Sequence, residues 1–90
     1  MANYFVTYDL SNADQDRYDQ LQAAIEQLGF TVHLQYSVFY LRSPFLLEQI
    51  NDNLLQHIRD GERLLVIQAQ AAVGGGHGQD WNQVLRAWEQ

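Results

Sequence analysis

The run "YFVTYDLSN", residues 4–12, closes an apolar, strand-like stretch on a carboxylate, Asp9. Residues suited to capping a helix follow at once: Ser11, Asn12 and Asp14. Two chemistries are open to an acid in this position. It can hold a divalent cation, because magnesium binds through one or two carboxylates and keeps several waters. Such a cation lowers the pKa of a bound water and stabilises charge on a phosphorane. Or it can cap the helix that follows, where a carboxylate meets unpaired N–H groups. The histidines, His33, His57 and His77, have no i, i+4 company, and there is no cysteine. A structural zinc site is therefore not predicted. "GGGHG" at 74–78 lacks the Gly-Lys-Ser/Thr ending of a phosphate loop and reads as a linker.

The elements that must position Asp9 follow from periodicity. Residues 3–9 alternate, with Tyr4, Val6 and Tyr8 on one face and Phe5, Thr7 and Asp9 on the other. A helix from about Asp14 to Leu28 carries the stripe Tyr18, Leu21, Ile25 and Leu28, with Gly29 as its C′ stop. Residues 30–36 and 36–42 are extended, and a tight turn or bulge separates them. Ser43 and Pro44 have the types of an N-cap and a first helical residue. The second helix runs to about Ile58, with Leu47, Ile50, Leu54 and Ile58 as its stripe. "RDGER" is a turn. "RLLVIQAQ", apolar on both faces, reads as a central strand. The order is β-α-β-β-α-β, an α+β, ferredoxin-like arrangement with an antiparallel sheet and two helices on one face. With neither face of the first strand plainly polar, a second subunit is the simplest cover for the other side.

That domain spans 1–70. A Gly-rich linker, 71–79, leads to a short C-terminal helix, 80–90. Asp80 is its N-cap, and Trp81, Leu85 and Trp88 form its stripe. So short a helix does not hold alone in water. It must dock on its own domain or on a partner chain, and residues 74–90 are a candidate contact for a protein partner.

Ninety residues form one domain with a modest core, and a chain of this size buries about 60–65% of its unfolded surface. Eleven acids against five basic residues give a net charge of −6; all five are arginines, and there is no lysine. Affinity for nucleic acid comes largely from neutralised phosphates, so a high-affinity, non-specific nucleic-acid binder is disfavoured. No apolar run approaches the roughly 20 residues of a membrane span. "MANYFV" has neither the basic stretch nor the apolar run of a signal peptide. With no cysteine to oxidise, the expected setting is the cytoplasm.

"VTYDLSN" followed by a helix, then "LGF", "LQYSVFYL" and "DGERLLVIQ", resembles the small CRISPR-associated endoribonuclease and spacer-adaptation family, the smaller of the two adaptation proteins. "QYSVF" at 35–39 is the most specific of these pieces, and the resemblance covers about residues 3–70. "DRYDQLQAAIEQLG" and "DGERLLVIQ" look most like a divergent, less characterised branch. VapD-type toxin ribonucleases share the fold.

The resemblance implies a homodimer in which Asp9 and its symmetry mate face each other near the two-fold axis and share a magnesium ion. It implies catalytic roles for Asp9 and Ser37, and contacts with RNA or DNA for Ser11, Arg17 and Phe39. From the residues alone, Ser37 could orient a water or satisfy backbone groups at a bulge. Phe39 could stack a base or belong to the core. The family's first helix is usually rich in lysine and arginine. Here it carries Asp14, Asp16, Asp19 and Glu26 beside Arg17 alone. Three functions are open: a metal-dependent nuclease, a non-catalytic dimeric protein-interaction module of the same fold, and a VapD-like toxin ribonuclease.

Overall fold

The computed structural model describes residues 1–89. Four strands and three helices run in the order β1 (Ala2–Asp9), α1 (Gln15–Glu26), β2 (Phe30–Gln35), β3 (Val38–Ser43), α2 (Leu47–Leu55), β4 (Arg63–Ala69) and α3 (Gln79–Trp88). The sheet is antiparallel with spatial order β2-β3-β1-β4, the ferredoxin-like arrangement. Tyr4, Val6 and Tyr8 point from β1 toward α1 and α2. They pack with Leu21 and Ile25 of α1, Ile50 and Leu54 of α2, and Phe39 and Leu41 of β3. The helical stripes therefore bury as their spacing requires. No helix among the described residues is long and apolar enough to cross a membrane.

The boundaries differ from the sequence expectation in instructive places. Asp14, not Asp9, caps α1: its side chain accepts from the Arg17 backbone N–H at 3.1 Å. Helix α1 ends at Glu26, and Gly29 is not a left-handed C′ residue. Gly29 is needed for another reason, since a Cβ there would stand 2.1 Å from the Arg42 carbonyl oxygen of β3. Only glycine lets the chain pass that close.

Ser43 ends β3 and does not cap α2. Its buried hydroxyl donates to the Leu28 carbonyl at 2.7 Å and accepts from the Phe45 N–H at 3.1 Å. Helix α2 starts later, at Leu47, where the Gln49 side chain accepts from the Leu46 N–H at 2.9 Å. A two-residue turn, Tyr36–Ser37, joins β2 to β3, and a bulge between His33 and Gln35 adjusts the register. Both the turn and the bulge are present.

Strand β4 lies at the edge of the sheet, not its centre. Leu64 and Val66 reach the helical core, whereas Leu65 and Ile67 stand 56% and 43% exposed on the opposite face. The part of that face formed by β2, β3 and the start of β1 is covered by the chain's own C-terminal helix. Val84 and Ala87 of α3 are buried against Val32 and Tyr40, with Trp81 and Trp88 alongside. Leu85, placed in the stripe by sequence, is 47% exposed. The linker is tethered as well. His77 stacks on Trp81, ring centroids 5.8 Å apart, and Gly74 lies against the His77 ring. Helix α3 thus replaces a partner subunit over β2 and β3, and it leaves β4 and the C-terminal half of β1 open.

Candidate functional site

Asp9 is the last residue of β1 and its side chain is exposed. Alternation along the strand puts it on the side away from α1 and α2, with Phe5 and Thr7. Its cross-strand neighbour is Arg63, and the two form no ion pair. With Asp14 already capping α1, no partner among the described residues claims the Asp9 carboxylate. The β2–β3 turn comes up beside it: the Tyr8 N–H donates to the Ser37 carbonyl at 3.3 Å. Asp9 and Ser37 line one open groove of about 710 Å³, together with Thr7, Glu62, Arg63 and Leu65. Two residues separated by 28 positions therefore line one groove because β1 pairs with β3.

The other residues singled out by sequence go elsewhere. Arg17 is not free to meet a phosphate. Its two terminal nitrogens donate to the Glu62 carboxylate at 2.5 and 2.7 Å, and Nη2 also donates to the His57 carbonyl at 3.0 Å. Glu62 is nearly inaccessible, its side chain 1% exposed. It also accepts from the backbone N–H groups of Ser11 and Arg59. Those donors, Arg17 first, hold its carboxyl at about 2, against the opposing effect of burial. Ser11 has its backbone N–H in this network and its hydroxyl near the Gly61 carbonyl, at 3.5 Å. Phe39 is 3% exposed in the core. One face meets the Tyr8 ring, and His33 stacks parallel to it with centroids 4.3 Å apart. It offers no surface to a base.

Sequence reasoning missed Glu62. Its one local signal is that it follows a turn glycine in "RDGER", and Gly61 does take a positive φ of 83°. The fork it accepts lies 45 residues away.

Among the described residues no three His, Asp or Glu side chains come together to hold a metal. With Glu62 occupied by Arg17, the open donor at the groove is the Asp9 carboxylate. One free carboxylate per chain fits a weakly held cation that keeps most of its waters, or one shared between two copies.

No protein-family model matches the chain, and no curated protein matches it. Among solved structures, the chain is similar to the crystal structure of a hypothetical protein, TT1823, from Thermus thermophilus. The likeness has a TM-score of 0.62 and 25% sequence identity, and covers 82% of this chain and 88% of that one. The two share the ferredoxin-like fold.

Proposed function

We propose that the chain is a homodimeric, CRISPR-associated endoribonuclease-like protein of the cytoplasm. In this reading it is a magnesium-dependent nuclease that cleaves RNA or DNA phosphodiesters where two subunits meet. The observation that carries the reading is the free Asp9 carboxylate, which shares a groove with Ser37 beside an uncovered apolar edge. Leu65 and Ile67 on β4 would seat the second copy, bringing the two Asp9 side chains toward a common axis. A cation held by that pair would activate a water and stabilise charge on the reacting phosphate. The Ser37 hydroxyl would orient the water or donate to a phosphate oxygen. Arg63, opposite Asp9, is the cation nearest to hand for the phosphate backbone.

The test is incubation of the wild type and Asp9→Ala with single- and double-stranded RNA and DNA. It is run at low salt, with and without magnesium or manganese, since a chain of −6 binds polyanions weakly. The expected result is metal-dependent cleavage that falls to background in Asp9→Ala while the far-UV circular dichroism is unchanged. Light scattering is expected to show a dimer that Ile67→Asp converts to monomer. Cleavage that survives Asp9→Ala would overturn the assignment of Asp9.

One observation favours a second reading, a non-catalytic dimeric module. Arg17 is consumed internally, so Arg63 is the sole arginine lining the Asp9 groove. A dimer that neither cleaves nor retains nucleic acid would establish this reading over the first.

A further inference from the structure

At the opposite end of the sheet from Asp9, α3 meets the start of β2 and the end of β3 along an open groove of about 490 Å³. That volume lies within the range of small-molecule sites. Phe30 and Ala87 give it apolar walls, and Met1 and Gln83 complete the lining. Two of the chain's five arginines line it: Arg42 from β3 and Arg86 from the last turn of α3. No acidic side chain does, in a chain that carries eleven.

The Arg42 guanidinium is held in place. Its Nη1 donates at 3.1 Å to the Asn3 side-chain oxygen, which also accepts from the buried Tyr40 hydroxyl at 2.6 Å. Asn3 is itself 8% exposed, so this anchor is part of the folded core. The Arg42 Nε is buried and has no acceptor. That nitrogen lies out of a ligand's reach from the groove, and it is the terminal N–H groups of the guanidinium for which a carboxylate is the preferred acceptor. Neither Arg42 nor Arg86 is paired with a carboxylate among the described residues. By contrast Arg17, the arginine of α1, is fully matched by Glu62.

We infer that this groove binds a small organic carboxylate with an apolar body, an aryl- or alkyl-carboxylate whose head lies between Arg42 and Arg86 and whose body rests on Phe30 and Ala87. The site stands apart from Asp9 and from any nuclease activity, so either inference can fail alone.

The experiment is titration of the full-length protein with 4-phenylbutyrate, followed by amide chemical shifts at neutral pH and low salt. Its uncharged analogue, 4-phenylbutyramide, is the matched control. Saturable shifts are expected at Phe30, Arg42, Gln83 and Arg86, with the amide binding at least about tenfold more weakly. Arg86→Gln is expected to weaken the carboxylate by about tenfold or more, and Arg59→Gln, the same charge change at a distant site, to leave it unaltered. Arg42→Gln should act like Arg86→Gln. Arg42 also anchors Asn3, however, so Arg86→Gln is the deciding variant. Absence of saturation up to millimolar probe would overturn the inference. So would equal binding of the amide, or equal weakening by Arg59→Gln, which would reduce the effect to net charge.

Discussion

Replacing Val84 by alanine tests which side of α3 meets the sheet. Val84 is fully buried in the cluster formed with Val32, Tyr40 and Ala87. The substitution removes two methyl groups from that cluster. At about 0.8 kcal/mol per buried carbon, the transfer part is about 1.6 kcal/mol. The space left behind adds about 1 kcal/mol where the strands cannot close over it. The expected loss is therefore about 2–3 kcal/mol. Leu85→Ala removes three carbons from a side chain that is 47% exposed, and alanine favours the helix, so its cost should stay below about 1 kcal/mol. The stripe expected from sequence demands the reverse, since a Leu85 inside the interface would cost about 2–5 kcal/mol on truncation.

Both tryptophans, Trp81 and Trp88, lie in α3, so their fluorescence follows docking of the helix while far-UV circular dichroism follows the whole domain. With a urea slope of about 1 kcal/mol per molar, Val84→Ala should move the fluorescence midpoint down by about 2–3 M. A midpoint that Leu85→Ala lowers more than Val84→Ala does would refute the packing of α3 described above.

Two further outcomes follow from buried polar contacts. Glu62 titrates at about 2 in the folded chain, below the 4.5 of an unperturbed glutamate. Its depressed pKa means that the stabilisation is complete above about 4.5 and is lost as pH falls from there toward 2, once protons reach the carboxylate bound by Arg17. Glu62→Gln should flatten the acid limb of the stability profile in that window, as measured by urea midpoints at successive pH values. An unchanged limb would show that other carboxylates govern acid unfolding. Ser43→Ala leaves the Leu28 carbonyl and the Phe45 N–H without their partner at a fully buried position. A loss of about 2–4 kcal/mol is expected in urea unfolding. A loss under about 0.5 kcal/mol would mean that water takes the place of the hydroxyl.

The elements were legible where a period of two or 3.6 residues carries the burial. Leu21 and Ile25, Ile50 and Leu54, and Tyr4, Val6 and Tyr8 all fall inside as their spacing requires. Strand β4 shows the limit of that signal. "LLVI" is apolar on both faces, and such a run reads alike for a strand between two neighbours and for an edge strand with one face uncovered. The covering of the sheet was hidden for a similar reason. The spacing of Trp81 and Trp88 allows either Val84 or Leu85 between them, and the shape of the surface formed by Val32 and Tyr40 decides. Ser43 and Pro44 have the types of a helix start, yet the carbonyl of Leu28, fifteen residues earlier, takes the serine hydroxyl first.

The arginines carry the same point into the candidate sites. In a chain of −6 with no lysine, each arginine reads as a place for an anion, and nothing local separates Arg17 from Arg42 or Arg86. The separation is made at long range. The turn after α2 delivers Glu62 to Arg17, and a bidentate pair, with a further bond from Nη2 to the His57 carbonyl, neutralises that fork and fixes it inside the fold. Asn3 reaches Arg42 with a neutral oxygen that steadies the guanidinium without neutralising it. Asp9 is the acidic counterpart. It stays available because Asp14 takes the capping role and because Arg63, though opposite in register, does not close on it. Charge type nominates such residues, and the pairing imposed by the fold decides which of them remain able to bind. The open positions are therefore Asp9 at one end of the sheet and the Arg42–Arg86 groove at the other.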